Sequence, residues 1–404
     1  MDPRFISFFG LFAMLFFAWL LSNNKKAIDQ RVVVGGLLLQ ITLAFFILKT
    51  DLGQSFFLYL TKAISSLVAT SDVGAKFVFG ESYEDHHIAF KVLPTIIFVS
   101  SLSSILFYLG VIQKVVSVLS WVMKKIMNTS GSETLVTAAN VFLGQTEAPL
   151  FIKPYLKKMT RSEIMTMMTS GMATVAGGVL AVYIGLGIPA GHLLAASILA
   201  APAALFISKI MYPETEVSET KGSIGTAFEV KDVNIFEAAC SGASSGVMLA
   251  INVAAMLIAF IALIAFLNNI LALLTPYLGF PLTLEDSLGF VFRPIAFIMG
   301  ISWKDSALVG GLLGKKMVLN EFVAYSDLIS YMKEGLISKR SIEITTYALC
   351  GFANFSSIAI QIGGIGALEP DRKKDFALLG FKALIGATLT GFTTACLAGM
   401  FISP

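Results

Sequence analysis

The chain has 404 residues, of which 56% are hydrophobic and 14% charged, with a mean hydropathy of +0.81. A soluble globular protein carries about 25% charge and few long apolar runs, so this composition excludes one and makes the bilayer the solvent. The formal net charge of +3 and three unspaced cysteines, Cys240, Cys350 and Cys396, exclude a nucleic-acid partner, a disulfide frame and a cysteine metal site; the cysteines read as small buried side chains.

The first apolar run, 5–22, has no basic leader and no small-residue cleavage site, so it reads as a retained helix. A second span is expected at 33–49. Residues 54–69 set Lys62 and serines against an apolar face, as in a helix lying at the interface, and 81–87 are acidic and polar. A third span at 92–112 precedes Lys114, Lys124 and Lys125. Segment 133–158 then mixes Glu133, Asn140, Gln145, Thr146, Glu147, Pro149 and Lys153 into apolar sequence, which is poor material for a lipid-facing helix. Further spans are expected at 164–186, interrupted by Thr174, Gly177 and Gly178, and at 192–211 and 238–267, with a polar loop at 212–234. A second polar stretch, 288–325, carries Arg293, Lys304, Asp305, Lys315, Lys316, Asn320 and Glu321. Runs at 343–364 and 376–401 close the chain.

About eight spans result. Basic residues gather on the inner side of a membrane protein, and an N-terminus outside puts most short-loop lysines and arginines inside, provided that 133–158 enters and leaves from the cytoplasm and 288–325 from outside. The loop bearing Lys333, Lys339 and Arg340 opposes that scheme. The expected fold is therefore an all-α polytopic membrane protein with two re-entrant hairpins of opposite orientation, each followed by an interrupted helix. Inverted repeats with broken helices build midplane binding sites, because unwound backbone exposes carbonyls and helix ends. Gly171-Met-Ala-Thr174 and Gly351-Phe-Ala-Asn354 echo one another in the two interrupted helices.

An acid retained at membrane depth costs roughly 2.5–3.5 kcal/mol on insertion scales, so it usually faces a wet cavity and has a task. Glu147 and Glu321 occupy equivalent hairpins. The bland alternative is that each caps a hairpin tip or pairs with a nearby lysine. Gln145, Thr146 and Glu147 put an amide, a hydroxyl and a carboxylate on consecutive residues, which suits a ligand edge with donors and acceptors, such as a nucleobase. Glu321 only accepts, and with Asn354 and Ser357 it suits the hydroxyls of a sugar, although an amide and a hydroxyl at that spacing also serve helix–helix contact. His86, His87 and His192 fall in expected outer loops, away from both hairpins. No phosphate loop is present, so uptake would draw on an ion gradient.

Gly144-Gln-Thr-Glu-Ala-Pro-Leu150 and Gly314-Lys-Lys-Met-Val-Leu-Asn-Glu-Phe-Val-Ala-Tyr325 resemble the signatures of concentrative nucleoside transporters; Met211-Tyr-Pro-Glu-Thr-Glu216 and Gly351-Phe-Ala-Asn-Phe-Ser-Ser-Ile358 look like further blocks of that family. The likeness runs over nearly the whole chain in matching order, and the length suits bacterial eight-span members. The resemblance implies a homotrimer that imports nucleosides such as uridine across the bacterial inner membrane by an elevator movement. It implies scaffold segments at 1–130 and 235–270 and a transport domain formed by 131–211 and 285–404. It places the base against Gln145, Thr146 and Glu147, with Leu249 and Phe352 packing nearby, and the ribose against Glu321, Asn354 and Ser357. Sodium would lie among Asn140, Leu143, Thr174 and Val175: side-chain oxygens from Asn140 and Thr174, backbone carbonyls from the other two, as a hard cation prefers. Thr174 stands where serine is usual, and some members couple to protons instead. A channel, or an intramembrane enzyme using Glu147 and Glu321 as acid and base, is a more distant reading, since no nucleophile or metal partner is spaced for it.

Overall fold

A computed structural model of the chain describes residues 2–84, 89–90, 93–221, 232–273 and 283–403. Regular structure among them is helical: α1 Pro3–Leu20, α2 Gln30–Lys49, α3 Asp51–Phe79, α4 Leu93–Tyr108, α5 Val111–Met127, α6 Gly131–Asn140, α7 Arg161–Ala173, α8 Gly177–Gly185, α9 Ala190–Met211 and α10 Ile235–Ala272. After these come α11 Leu284–Ile298, α12 Ser306–Val318, α13 Glu321–Lys333, α14 Lys339–Leu349, α15 Phe355–Leu368 and α16 Lys373–Phe401.

Six of the described helical segments are long and apolar enough to cross a bilayer, and seven if α4 and α5, bent by 73° at Gly110, count as one. The eighth expected span is divided between α14 and α15. The spans sort by burial. The apolar windows of α9 and α16 are 89% and 83% buried, against 28% for α1 and α2, so α9 and α16 form the interior while α1 and α2 turn bulky side chains such as Phe9, Phe16 and Leu38 outward. Helix α16 packs along α1, α7, α9 and α14, and α10 packs along α4.

The two hairpins have different builds. In the first, α6 runs in to a tip at 141–147 and a 3-10 run, Ala148–Lys158, leads out. In the second, the arms are α12 and α13, with the tip at Leu319 and Asn320. The hairpin expected at 288–325 lies instead at 306–333, because α11 is a separate helix packed on α12. Arg293, expected as a polar interruption, ends up half-buried on α11, its guanidinium 4.1 Å from the Trp303 ring. Helix α5 is an addition to the expected elements. Its lysines have the look of a loop, yet Val116, Leu119, Met123 and Met127 recur every three or four residues and pack inward. The interface helix expected at 54–69 extends to the whole of α3.

Three smaller expectations change. His192 belongs to the first turn of α9, with its Nδ1 3.2 Å from the Tyr347 hydroxyl, while His86 and His87 lie outside the described residues. Cys350 and Cys396 are buried as expected, but Cys240 is exposed on α10. The described part of the polar loop, 212–221, is folded onto the protein. Thr220 O accepts from Gly131 N at 3.0 Å, and Glu163 Oε1 accepts from Ser218 Oγ at 2.5 Å and from Ser132 Oγ at 3.0 Å. Beside it, the buried Lys209 ammonium lies 2.7 Å from Glu133 Oε2 and donates to Ser162 Oγ at 2.8 Å. Such a pair survives in a low dielectric only when its partners are held in place. The reciprocal caps of Thr160 with Glu163, and Ser130 N on Glu133 Oε1, supply that hold.

Candidate functional site

Both expected interruptions are present. Helix α7 ends at Ala173 and α8 begins at Gly177, leaving Thr174–Ala176 unwound; α14 ends at Leu349 and α15 begins at Phe355, leaving 350–354 unwound. The two breaks touch. Gly351 has φ +120°, and a Cβ there would meet Ala173 O at 2.7 Å, so only glycine lets the second break lie against the first. The echo noted between the two segments puts its polar residues to different uses: Thr174 closes the end of α7, whereas Asn354 caps the start of α15 by accepting from Ser357 N at 2.9 Å.

From this crossing a chain of hydrogen bonds links the two hairpins, side chain to side chain except at Ser357, whose backbone N carries the link to Asn354. Gln361 Nε2 donates to Gln145 Oε1 at 3.1 Å, and also to Met168 O at 3.1 Å; Gln145 Nε2 in turn donates to Ser357 Oγ at 3.1 Å. Through the α15 cap the chain reaches Asn354, whose Nδ2 donates to Glu321 Oε2 at 3.1 Å. Glu321 Oε1 accepts from the Tyr183 hydroxyl at 2.8 Å. Four residues singled out from sequence, Gln145, Ser357, Asn354 and Glu321, are thus brought into one network. Each is buried, and Glu321, the first residue of α13, keeps both carboxylate oxygens engaged by neutral donors.

The remaining residues named for the base stand at the edge of this network. Thr146 is half-buried, packed so closely on Gly364 that a Cβ there would meet Thr146 Cγ2 at 2.5 Å. Glu147 is exposed and folds back on its own tip, its Oε2 accepting from Gly144 N at 2.6 Å, which is the tip-capping role weighed above and leaves Oε1 to other donors. Leu249 is half-buried on α10, where its Cδ2 would lie 3.9 Å from a Cβ on Gly178 at the start of α8. Phe352 sits half-buried in the second break.

Sequence reasoning missed Tyr183 and Gln361. Each had a signal: a polar-tipped aromatic and an amide inside otherwise apolar spans, where a lone polar group needs a partner. It also missed Ser170. That residue joins two of the expected sodium ligands, since Ser170 Oγ accepts from Asn140 Nδ2 at 3.0 Å and Ser170 O accepts from Thr174 Oγ1 at 2.9 Å. Asn140 Oδ1 is left buried without a hydrogen-bond partner, beside a break whose Gly177 N donates to Phe142 O at 3.0 Å. An orphaned carbonyl oxygen among hydroxyls fits a hard cation. Leu143, half-buried, and Val175, fully buried, flank it on the hairpin tip and in the break.

Comparison with known proteins is decisive at this point. Residues 9–82 match the N-terminal and 192–399 the C-terminal model of the Na+ dependent nucleoside transporter, and 89–190 match the Gate (nucleoside recognition) model. The chain belongs to the Na+ dependent nucleoside transporter family. It is 44% identical to solute carrier family 28 member 3 of Eptatretus stoutii over 99% of this chain and 61% of that protein, so it spans less than two thirds of that relative's length. An uncharacterized transporter of Haemophilus influenzae is 42% identical over 98% of this chain and 97% of its own. The sodium/nucleoside cotransporter 1 of Rattus norvegicus is 42% identical over 99% of this chain and 64% of its own. Among solved structures, CNTnw in an inward-facing substrate-bound state matches with TM-score 0.93 at 39% identity, covering 99% of this chain and 98% of that one. A substituted CNTnw in an outward-facing state matches with TM-score 0.94 at 38% identity over the same shares.

Proposed function

We propose that the chain is a secondary active symporter that imports nucleosides, uridine among them, across the bacterial inner membrane, driven by a sodium gradient. The observation that carries this reading is the hydrogen-bonded chain from Gln361 through Gln145, Ser357 and Asn354 to Glu321 and Tyr183. It offers amide groups at one end and an acceptor-only carboxylate at the other, matching a base that both donates and accepts and a ribose whose hydroxyls donate. Gln145, Thr146 and Glu147 take the base, with Leu249 and Phe352 as its apolar walls. Glu321, Asn354 and Ser357 take the ribose.

Sodium is held by Asn140, Leu143, Thr174 and Val175. Coupling follows from position. Asn140 ends α6 and Gln145 lies in the tip just beyond it, while the bond from Gly177 N to Phe142 O ties that tip to the first break. A cation drawn between Asn140 and Thr174 orders the tip before the nucleoside arrives, so nucleoside binding costs less conformational entropy; by linkage the nucleoside tightens sodium by the same factor.

Scaffold segments at 1–130 and 235–270 and a transport domain of 131–211 with 285–404 rest on the family resemblance; the packing of α10 on α4 joins the two scaffold segments, while α1 and α2 also pack on α16 and α9. Alternating access by an elevator movement is supported by the equal likeness to inward- and outward-facing CNTnw. The homotrimer rests on the family resemblance, and a periplasmic N-terminus on the basic loops. Uptake of labelled uridine into proteoliposomes under an imposed sodium or proton gradient tests the reading. Uptake driven by sodium alone supports it; uptake driven by protons alone transfers the coupling to a buried carboxylate and refutes the sodium assignment.

A further inference from the structure

Three apolar spans meet at one face of the bundle: α2 stops at Lys49, α9 starts at Ala190 and α16 stops at Phe401. Between these ends and the start of α14 lies a cavity of about 590 Å³. Its depth is that at which spans end and lipid headgroups begin. Helix α3, which follows α2 at Thr50 and keeps an apolar face, forms one side of it. The lining is amphipathic. Ile47, Phe57, Leu58 and Phe401 supply an apolar wall, while Lys49, Lys339, Arg340 and His192 outnumber the one lining acid, Glu343.

Part of that charge is already committed. Arg340 donates through all three guanidinium nitrogens, to Gly300 O, Gly399 O, Ile402 O, Ser403 O and Ser7 Oγ, and so answers the carbonyl end of α16. His192 Nδ1 is engaged by the Tyr347 hydroxyl at 3.2 Å. The two lysines remain. Lys339 Nζ lies 4.0 Å from Glu343 Oε1, at the outer limit of an ion pair, and Lys49 Nζ has no partner among the described residues. At the same cavity α9 begins with no side chain capping its first N–H groups. Two ammonium groups and a bare helix start attract an anion, and the apolar wall beside them suits one that carries a hydrocarbon tail. Lys339 and Arg340 also belong to the loop that opposes the charge bias of the other loops. Basic residues kept where they are otherwise few have a use there.

We propose that this cavity binds the phosphate of an anionic phospholipid, of which phosphatidylglycerol is the simplest, between Lys49 and Lys339, with an acyl chain along Phe57 and Leu58. The lipid ties the turn between α2 and α3 to the first turns of α9 and α14. This holds whichever ion or substrate the carrier moves.

The test titrates dioleoylphosphatidylglycerol into the purified whole chain in detergent and follows the melting temperature, which a ligand of the folded state raises. Dioleoylphosphatidylcholine, with the same tails and no net charge, is the reference. Phosphatidylglycerol should raise the melting temperature saturably, and phosphatidylcholine much less. In the double variant Lys49→Gln, Lys339→Gln the phosphatidylglycerol concentration giving half of that rise should increase about tenfold or more. The double variant Lys25→Gln, Lys26→Gln, just before the other end of α2, should respond like the unsubstituted chain. All four lysines are exposed, so both variants should fold. No rise with phosphatidylglycerol, or an unchanged response without Lys49 and Lys339, would overturn the proposal. An equal loss in both variants would mean general attraction of the lipid to basic residues and refute the site. A rise of the same size with inorganic phosphate alone would refute a lipid as the occupant.

Discussion

Replacing Glu321 by glutamine perturbs the site where its geometry is best defined. Glu321 accepts on Oε1 from Tyr183 and on Oε2 from Asn354. An amide can satisfy both neighbours in one orientation, with its oxygen on Asn354 Nδ2 and its NH2 toward Tyr183, whose hydroxyl then accepts. The fold should therefore survive, and the melting temperature should stay near that of the unsubstituted chain. Ribose hydroxyls lose more. Hydrogen bonds to a charged group contribute about 1.5–3 kcal/mol each, and a neutral one about 1 kcal/mol. Two charged bonds exchanged for one neutral bond leave a deficit of about 2–5 kcal/mol, so the uridine Kd should rise by about 30-fold or more. Calorimetric titration at saturating sodium reads this directly. Analogues lacking a ribose hydroxyl add a cycle: their handicap should be large with Glu321 in place and small in the Glu321→Gln variant, because the carboxylate partner is already gone. A Kd within about threefold of the unsubstituted value, or a handicap unchanged by the substitution, would refute the assignment of the ribose to this carboxylate.

Other outcomes follow from the same geometry. Asn140→Ala removes the orphaned Oδ1 and should raise the sodium concentration for half-maximal uptake by about tenfold, with uridine affinity at saturating sodium little changed; an unaltered sodium response would place the ion elsewhere. Gly351→Ala puts a Cβ within 2.7 Å of Ala173 O at φ +120°, so the crossing of the breaks must open, and transport should fall below detection while the protein still inserts. Lys209→Met leaves the Glu133 carboxylate buried and unpaired. That should cost about 3–5 kcal/mol, seen as a large drop in melting temperature, with Glu133→Gln on the same background restoring part of it.

How much of this is legible in the sequence depends on which constraint a residue answers to. The spans, the first hairpin and both breaks can be read there because the bilayer forbids polar side chains except where protein or water meets them. Glu147 and Glu321, Asn140 and Asn354 stand out against that background. Helix α5 and the limits of the second hairpin escape, since Lys114, Lys124 and Lys125 draw α5 into the count of basic loops despite its apolar period, and α11 carries the same mixed residues as the hairpin that follows it. The partners Tyr183 and Gln361 escape for another reason: a single tyrosine or glutamine in an apolar run does not say which neighbour it meets. The docking of Ser218 and Thr220 in 212–221 is hidden likewise, because serines and threonines that pair with Glu163 look the same in sequence as serines that face water.

The central claim is that one nucleoside and one gradient-driven cation share a site built from two crossed breaks. The most direct measurement is concentrative uptake of labelled uridine into proteoliposomes holding the purified chain, with sodium outside and none within, at equal pH on both sides. Accumulation above the external concentration that collapses when sodium is equalised is the predicted result. Equilibration without accumulation, or accumulation that persists without a sodium gradient, would contradict it.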